Sequence, residues 1–306
     1  MRSSTRVLIL KIGAAAAALA LIVAAMHFLL PGLARRHEQS TLGSGYAIEE
    51  TEQLSVAVPR SADSGPPATR LSPWIAAGFN AFTQALYRQY GELLSLQPVD
   101  DKITIRVFAS HAELVEFAGR RMKQDASHAG GFYDPASWSI ALTLRPRREL
   151  FAMLSHEATH LIMDRSATGG EPDWSVWLSE GMAVYFEQSA IVGGRLRLGG
   201  ASPRDAAVVL ALAARGRHVP LHKLVGGGPQ LFRGGEAGPL AYREAGLLVA
   251  FLLEGADGKF REPFIRYYQL ERKPGPCPPE ALASYLGVGL DALETLWLTY
   301  LRGIAR

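Results

Sequence analysis

Apart from the short segment 195–198, the runs of this chain in which apolar and polar residues alternate as in a strand lie before residue 145; beyond it, apolar residues recur mostly at three- and four-residue steps. Residues 102–108 set Ile103, Ile105 and Val107 against Thr104 and Arg106, the period of a half-buried strand. After Gly130-Gly131 and Phe132-Tyr133, the turn-forming Asp134-Pro135 leads into Trp138, Ile140, Leu142 and Leu144, which alternate with Ser139, Ala141 and Thr143. That pattern predicts a hairpin. Helical periods cover 73–93, 111–124, 147–165, 176–188, 203–215, 241–254, 258–270, 279–286 and 290–302. A few strands followed by helices point to an α+β fold: a small antiparallel or mixed sheet, then a mainly helical body. There is no internal repeat.

The first 72 residues have a different character. Arg2, Arg6 and Lys11 precede the apolar run 12–30, which contains only His27 as an exception. About 19 such residues suffice to cross a bilayer core as a helix. Residues 1–34 are therefore expected to be a membrane anchor or a cleaved signal peptide, with Gly32 and Ala34 as small residues for cleavage. The positive residues before the run place the amino terminus in the cytoplasm and the bulk of the chain on the far side of the inner membrane. If the segment is cleaved, the product is periplasmic or secreted. Residues 35–72 contain Gly43-Ser44-Gly45 and Ser64-Gly65-Pro66-Pro67 and read as a flexible linker, with at most one short strand at 54–58. The folded domain is expected over 73–306.

Composition removes several classes of function. With 48% apolar residues in 306, the chain has enough to bury a core, so disorder is excluded. Cys277, the single cysteine, rules out an internal disulfide scaffold and a cysteine-based zinc site. Lys and Arg total 32 against 29 Asp and Glu, a nearly balanced surface that gives no footprint for nucleic acid.

Chemistry concentrates in the 147–165 helix. His156-Glu157-Ala158-Thr159-His160 puts two imidazoles one turn apart on one helical face, where they can share a metal ion. Glu157, one position round the helix, is a candidate general base. Glu180 follows His160 by 20 residues in Trp177-Leu178-Ser179-Glu180-Gly181, on a second helix with room to fold back. Two histidines and one glutamate form a donor set used by catalytic zinc sites.

These two segments, with Tyr242-Arg243-Glu244-Ala245-Gly246-Leu247-Leu248-Val249, resemble the gluzincin zinc metallopeptidases, and more closely the bacterial peptidase MA-like proteins. The resemblance spans less than half of the chain and implies a zincin-like domain with one Zn²⁺ held by His156, His160 and Glu180. It further implies Glu157 as general base, Tyr242 as hydrogen-bond donor to the transition state, and a peptide or protein as substrate. It suggests that the strand 137–143 lines the cleft as an edge strand. One position departs from the thermolysin-like pattern. The aspartate expected one turn beyond the glutamate is Val184 here, which makes Asp164 the candidate to orient a histidine. Two other readings stay open: a binding or assembly protein that keeps this fold without catalysis, and a zinc hydrolase of non-peptide amides.

The remaining conspicuous residues have plainer expectations. His37, His111 and His128 read as surface or capping residues, and His218 and His222 flank the Pro220 turn. Trp174 and Trp177 read as core, and the glycine-rich stretch 226–238 as a surface loop.

Overall fold

The computed structural model describes residues 45–60, 70–122, 128–169, 173–233, 235, 237–275 and 277–306. The apolar run 12–30 and its anchor or signal assignment lie outside these residues. Among them, no helix is long and apolar enough to cross a membrane.

The fold is α+β, with a five-stranded mixed sheet, a small two-stranded hairpin and eleven α-helices among the described residues. The sheet comprises β1 (Tyr46–Glu50), β2 (Leu54–Pro59), β3 (Ile103–Phe108), β4 (Gly131–Asp134) and β5 (Ser139–Thr143). Their spatial order is β1-β2-β3-β5-β4. β1 runs antiparallel to β2, β2 and β5 flank β3 in parallel, and β4 returns antiparallel along β5.

Two expectations are corrected. The short strand expected at 54–58 is present as β2, but residues 46–59 are not linker: Tyr46 pairs with Pro59 and Leu54 with Ile103, and Leu54, Val56 and Val58 are part of the core. All six residues of β2 are buried, so the strand is covered on both faces and lacks the alternation that marks a half-solvated one. The strand 139–143 is likewise not an edge. It is inserted between β3 and β4, and the outer position falls to β4.

The helices are α1 (Leu71–Tyr90), α2 (His111–Met122), α3 (Arg147–Ser166), α4 (Val176–Glu187), α5 (Pro203–Ala213), α6 (Leu221–Val225), α7 (Pro229–Arg233), α8 (Ala237–Glu254), α9 (Arg261–Glu271), α10 (Pro279–Leu286) and α11 (Leu290–Ile304). The short strands β6 (Ala190–Val192) and β7 (Arg195–Arg197) form the hairpin after α4. The glycine-rich stretch therefore contains α7 and the start of α8. Phe232 of α7 is buried with its ring edge-on to Tyr242, the centroids 5.4 Å apart.

Helix α3 packs against α1, β4, β5 and α4, while α4 packs most extensively on α8. On α3, Leu150, Leu154, Ala158, Leu161 and Ile162 are fully buried and define the core-facing stripe at three- and four-residue steps. Close approach of α4 and α8 depends on two glycines. A Cβ on Gly181 would lie 2.8 Å from the Ala245 carbonyl oxygen and 2.9 Å from Val249 Cγ2. One on Gly246 would lie 2.3 Å from Val184 Cγ1. Neither contact is sterically possible, so each helix closes on the other's backbone only because the two glycines carry no side chain.

Gly246→Ala must therefore push α8 away from α4. We expect it to cost about 1–3 kcal/mol of stability, the usual penalty for overpacking, as measured by denaturant unfolding. A Tm equal to that of the parent chain would show that the interface yields freely.

Candidate metal centre

The core-facing stripe of α3 leaves the His156 and His160 side of the helix turned towards α4. Their rings are 5.0 Å apart between centroids and inclined at 68°. Glu180, on the first turns of α4, closes the set: its Oε2 is 3.5 Å from His156 Nε2 and 3.4 Å from His160 Nε2. All three donor atoms fall within 4.8 Å of one another. Ligands held ~2.0–2.2 Å from a tetrahedral zinc stand about 3.3–3.6 Å apart. The two Nε2-to-carboxylate spacings match that requirement, and the nitrogen and oxygen donors suit zinc chemically. The three residues that the sequence pattern nominates are thus brought together.

The opposite ring nitrogens are also engaged. His156 Nδ1–H donates to Glu187 Oε2 at 3.1 Å, and His160 Nδ1 is 3.0 Å from the Ser179 hydroxyl. Such contacts fix ring orientation and tautomer in metal-binding histidines. Asp164 does not fill this place; burial raises its carboxyl pKa to about 6, opposed by the nearby His160. Since each ring turns Nε2 towards Glu180, both Nδ1 partners come from α4. Glu187 lies seven residues after Glu180, two turns along the same helical face, and replaces an acid at the Val184 position. Seven-residue spacing within a predicted helix was the available signal; Ser179 sat inside the quoted motif.

Burial and charge act strongly here. Desolvation alone would lower the His156 pKa, but hydrogen bonds to Glu180 and Glu187 hold it well above its ordinary value. Burial works against ionisation of Glu180, and the two imidazoles outweigh it, keeping this carboxylate well below the usual range. Glu157 goes the other way. Its burial raises the pKa, with His156 and His160 only partly offsetting the effect. Glu157 is 7% exposed and has no hydrogen-bond or ion-pair partner among the described residues.

The sheet edge runs beside this carboxyl. A Cβ on Gly131, the first residue of β4, would come 3.5 Å from Glu157 Oε1 and 2.8 Å from both the Ala141 carbonyl oxygen and Leu142 Cδ2. Glycine at 131 therefore lets β4 lie close against β5, at a point that stands beside Glu157. By contrast Ser139 and Thr143 are buried in β5 and do not face an open cleft.

Tyr242 approaches from α8. Burial raises its phenol pKa, and the charges of Glu180 and Glu157 raise it further, which places the hydroxyl near both carboxylates and keeps it protonated. The next two residues face elsewhere. Arg243 pairs with Asp205 at 2.9 Å, and Glu244 is fully buried, accepting from the Val219 N–H with both oxygens at 3.1 Å. His218 contacts Glu294 at 2.9 Å. No family model matches the chain, and no curated protein matches it. Trp177 is fully buried against Tyr267, and Trp174 is partly buried against Tyr268, so both are packing residues.

Two measurements probe this geometry. Glu187→Gln should weaken zinc binding about 10–100-fold, as loss of an outer partner of a histidine ligand does, with no change in the ligands themselves. Equal affinity would separate Glu187 from the site. Burial pushes the Glu244 carboxyl from 4.5 up to about 8, so between those values the folded chain holds a proton that the unfolded chain releases. Stability should fall as pH rises through that window, with a contribution of up to about 1.4 kcal/mol per pH unit. Glu244→Gln should remove that contribution, and an unaltered pH profile of unfolding would contradict it.

Proposed function

We propose that this chain is a zinc-dependent peptidase that hydrolyses peptide bonds with Glu157 as general base. The observation that carries this reading is the convergence of His156, His160 and Glu180 beside a buried carboxyl that has no structural partner. Burying a carboxyl without partners is costly, and it brings no evident structural return at Glu157. That argues for the enzyme over a scaffold that merely keeps the fold.

Two imidazole Nε2 atoms and Glu180 would hold the ion. When bound, zinc supplies Lewis acidity, lowering the pKa of water to ~7 and polarising a carbonyl. The chain's own residues do the rest. Glu157, its proton affinity raised by burial, takes a proton from the attacking water and returns it to the amine that leaves. Tyr242, held protonated, donates a hydrogen bond to the oxyanion that develops on the substrate. An extended peptide adds to the free side of β4, whose backbone passes Glu157, so that the scissile bond is delivered to the base. The apolar run 12–30 would hold the catalytic domain at the outer face of the inner membrane, or be cleaved to release it.

Glu157→Gln in the full-length chain separates binding from chemistry. Zinc content should remain that of the parent, and turnover of a peptide library should fall about 10²–10⁴-fold. Hydrolysis undiminished by this change would sink the mechanism.

A further inference from the structure

Helix α9 places two buried charged residues side by side at the loop joining the metal-binding helices. Glu271 is 2% exposed and Arg272 8%. Arg272 Nε and Nη2 both donate to the carbonyl oxygen of Ser166, the last residue of α3, at 2.9 and 2.5 Å. Glu271 accepts from the Ser175 N–H and hydroxyl at 2.7 Å each, and Ser175 is the residue that opens α4. Both helix ends need such help. Ala167, after α3, is extended rather than left-handed, and Ser175 makes no capping bond with its own side chain. The charges also have the favourable sign: a cation at the carboxyl end of α3 and an anion at the amino end of α4. Further contacts fasten the same loop. The Tyr267 hydroxyl donates to Glu271, Thr168 N–H donates to the Arg272 carbonyl at 3.0 Å, and the rings of Trp174 and Tyr268 pack at 5.2 Å.

We infer that Glu271 and Arg272 are positioning residues for the metal centre: they clamp the end of the helix bearing His156 and His160 to the start of the helix bearing Glu180. Neither residue touches a ligand. Ser166 lies six residues beyond His160, and Ser175 five before Glu180, so the clamp sets how the two helices slide and tilt against each other. The inference rests on the metal-site reading above.

The test uses the full-length chain, its Zn²⁺ affinity measured by competition with a chelating dye and the visible spectrum of its Co²⁺ form. Arg272→Met and Glu271→Gln should each weaken Zn²⁺ about tenfold and shift the Co²⁺ spectrum, while Arg272→Lys, which keeps a donor near Ser166, should recover part of the affinity. Leu301→Ala is the control for stability loss alone. Leu301 is fully buried in α11, which packs mainly on α5, α6 and α8, and its removal should leave affinity unchanged. If Arg272→Met does not fold, the isosteric Glu271→Gln carries the test. A parent chain that binds no metal overturns the site and the clamp together. A parent that binds, with clamp variants matching it within twofold and giving the same spectrum, overturns the clamp alone.

Discussion

The distance between α4 and α8 is set where each helix presses on a glycine of the other, and the candidate site inherits that distance. Gly181 follows Glu180 directly, so the contact of Gly181 with Ala245 and Val249 fixes the helix that carries Glu180. Gly246 sits one turn after Tyr242, and its contact with Val184 fixes the helix carrying the phenol. A side chain at either glycine would be an adjustable spacer. Without one, the spacing can change only by separating the helices, which exposes much of the core around Trp177 and Leu248. Cores resist such separation because they are closely packed. Tyr242 is thereby held across from Glu180 by packing that has nothing to do with chemistry.

Within that frame the site gathers charges that burial disfavours. His156 and His160 face Glu180, and Glu187 backs His156, so the carboxylates hold a proton on His156 while the imidazoles keep Glu180 ionised. A metal ion would replace the imidazole protons and leave the carboxylates ionised, which makes affinity fall as pH drops. Glu157 receives only partial support from the two imidazoles. It shares the burial without a hydrogen bond, and so its proton affinity rises rather than falls. Neighbouring carboxyl groups are pushed in opposite directions by their surroundings, Glu180 kept ionised and Glu157 held towards its protonated form.

How much of this could be read from residues alone depends on whether the signal is local. The spacing of His156, Glu157 and His160 is local, and the structure brings both histidines to Glu180 as that spacing implies. The periods of β3, β5 and α3 are local too. Residues 46–59 were less legible because β2 is buried on both faces while small Ser55 and Ala57 dilute its apolar pattern. Its flanks, rich in glycine, serine and proline, also look like tether. Strand order is not local at all. β5 follows β4 in the chain, yet the parallel pairing of β5 with β3 leaves β4 outside, and no residue of the hairpin announces that choice. Asp164 was one turn from His160 on the same helix, but Nδ1 points across to the neighbouring helix. The partners were Ser179 and Glu187.

Two kinds of restraint converge on His156, His160 and Glu180 from opposite directions. Glycine packing fixes α4 laterally against α8, and the Glu271–Arg272 pair fixes α3 and α4 at their shared loop. Lateral packing alone tolerates sliding along a helix axis, since ridges and grooves repeat with each turn. Hydrogen bonds at helix ends do not repeat in that way: Ser166 offers one terminal carbonyl and Ser175 one terminal N–H. A shift of one helix along the other by even a fraction of a turn would break them and move Glu180 relative to two histidines whose spacing is set within α3. The lateral contact determines how near Tyr242 comes to Glu180, and the end contacts determine how Glu180 faces the two histidines.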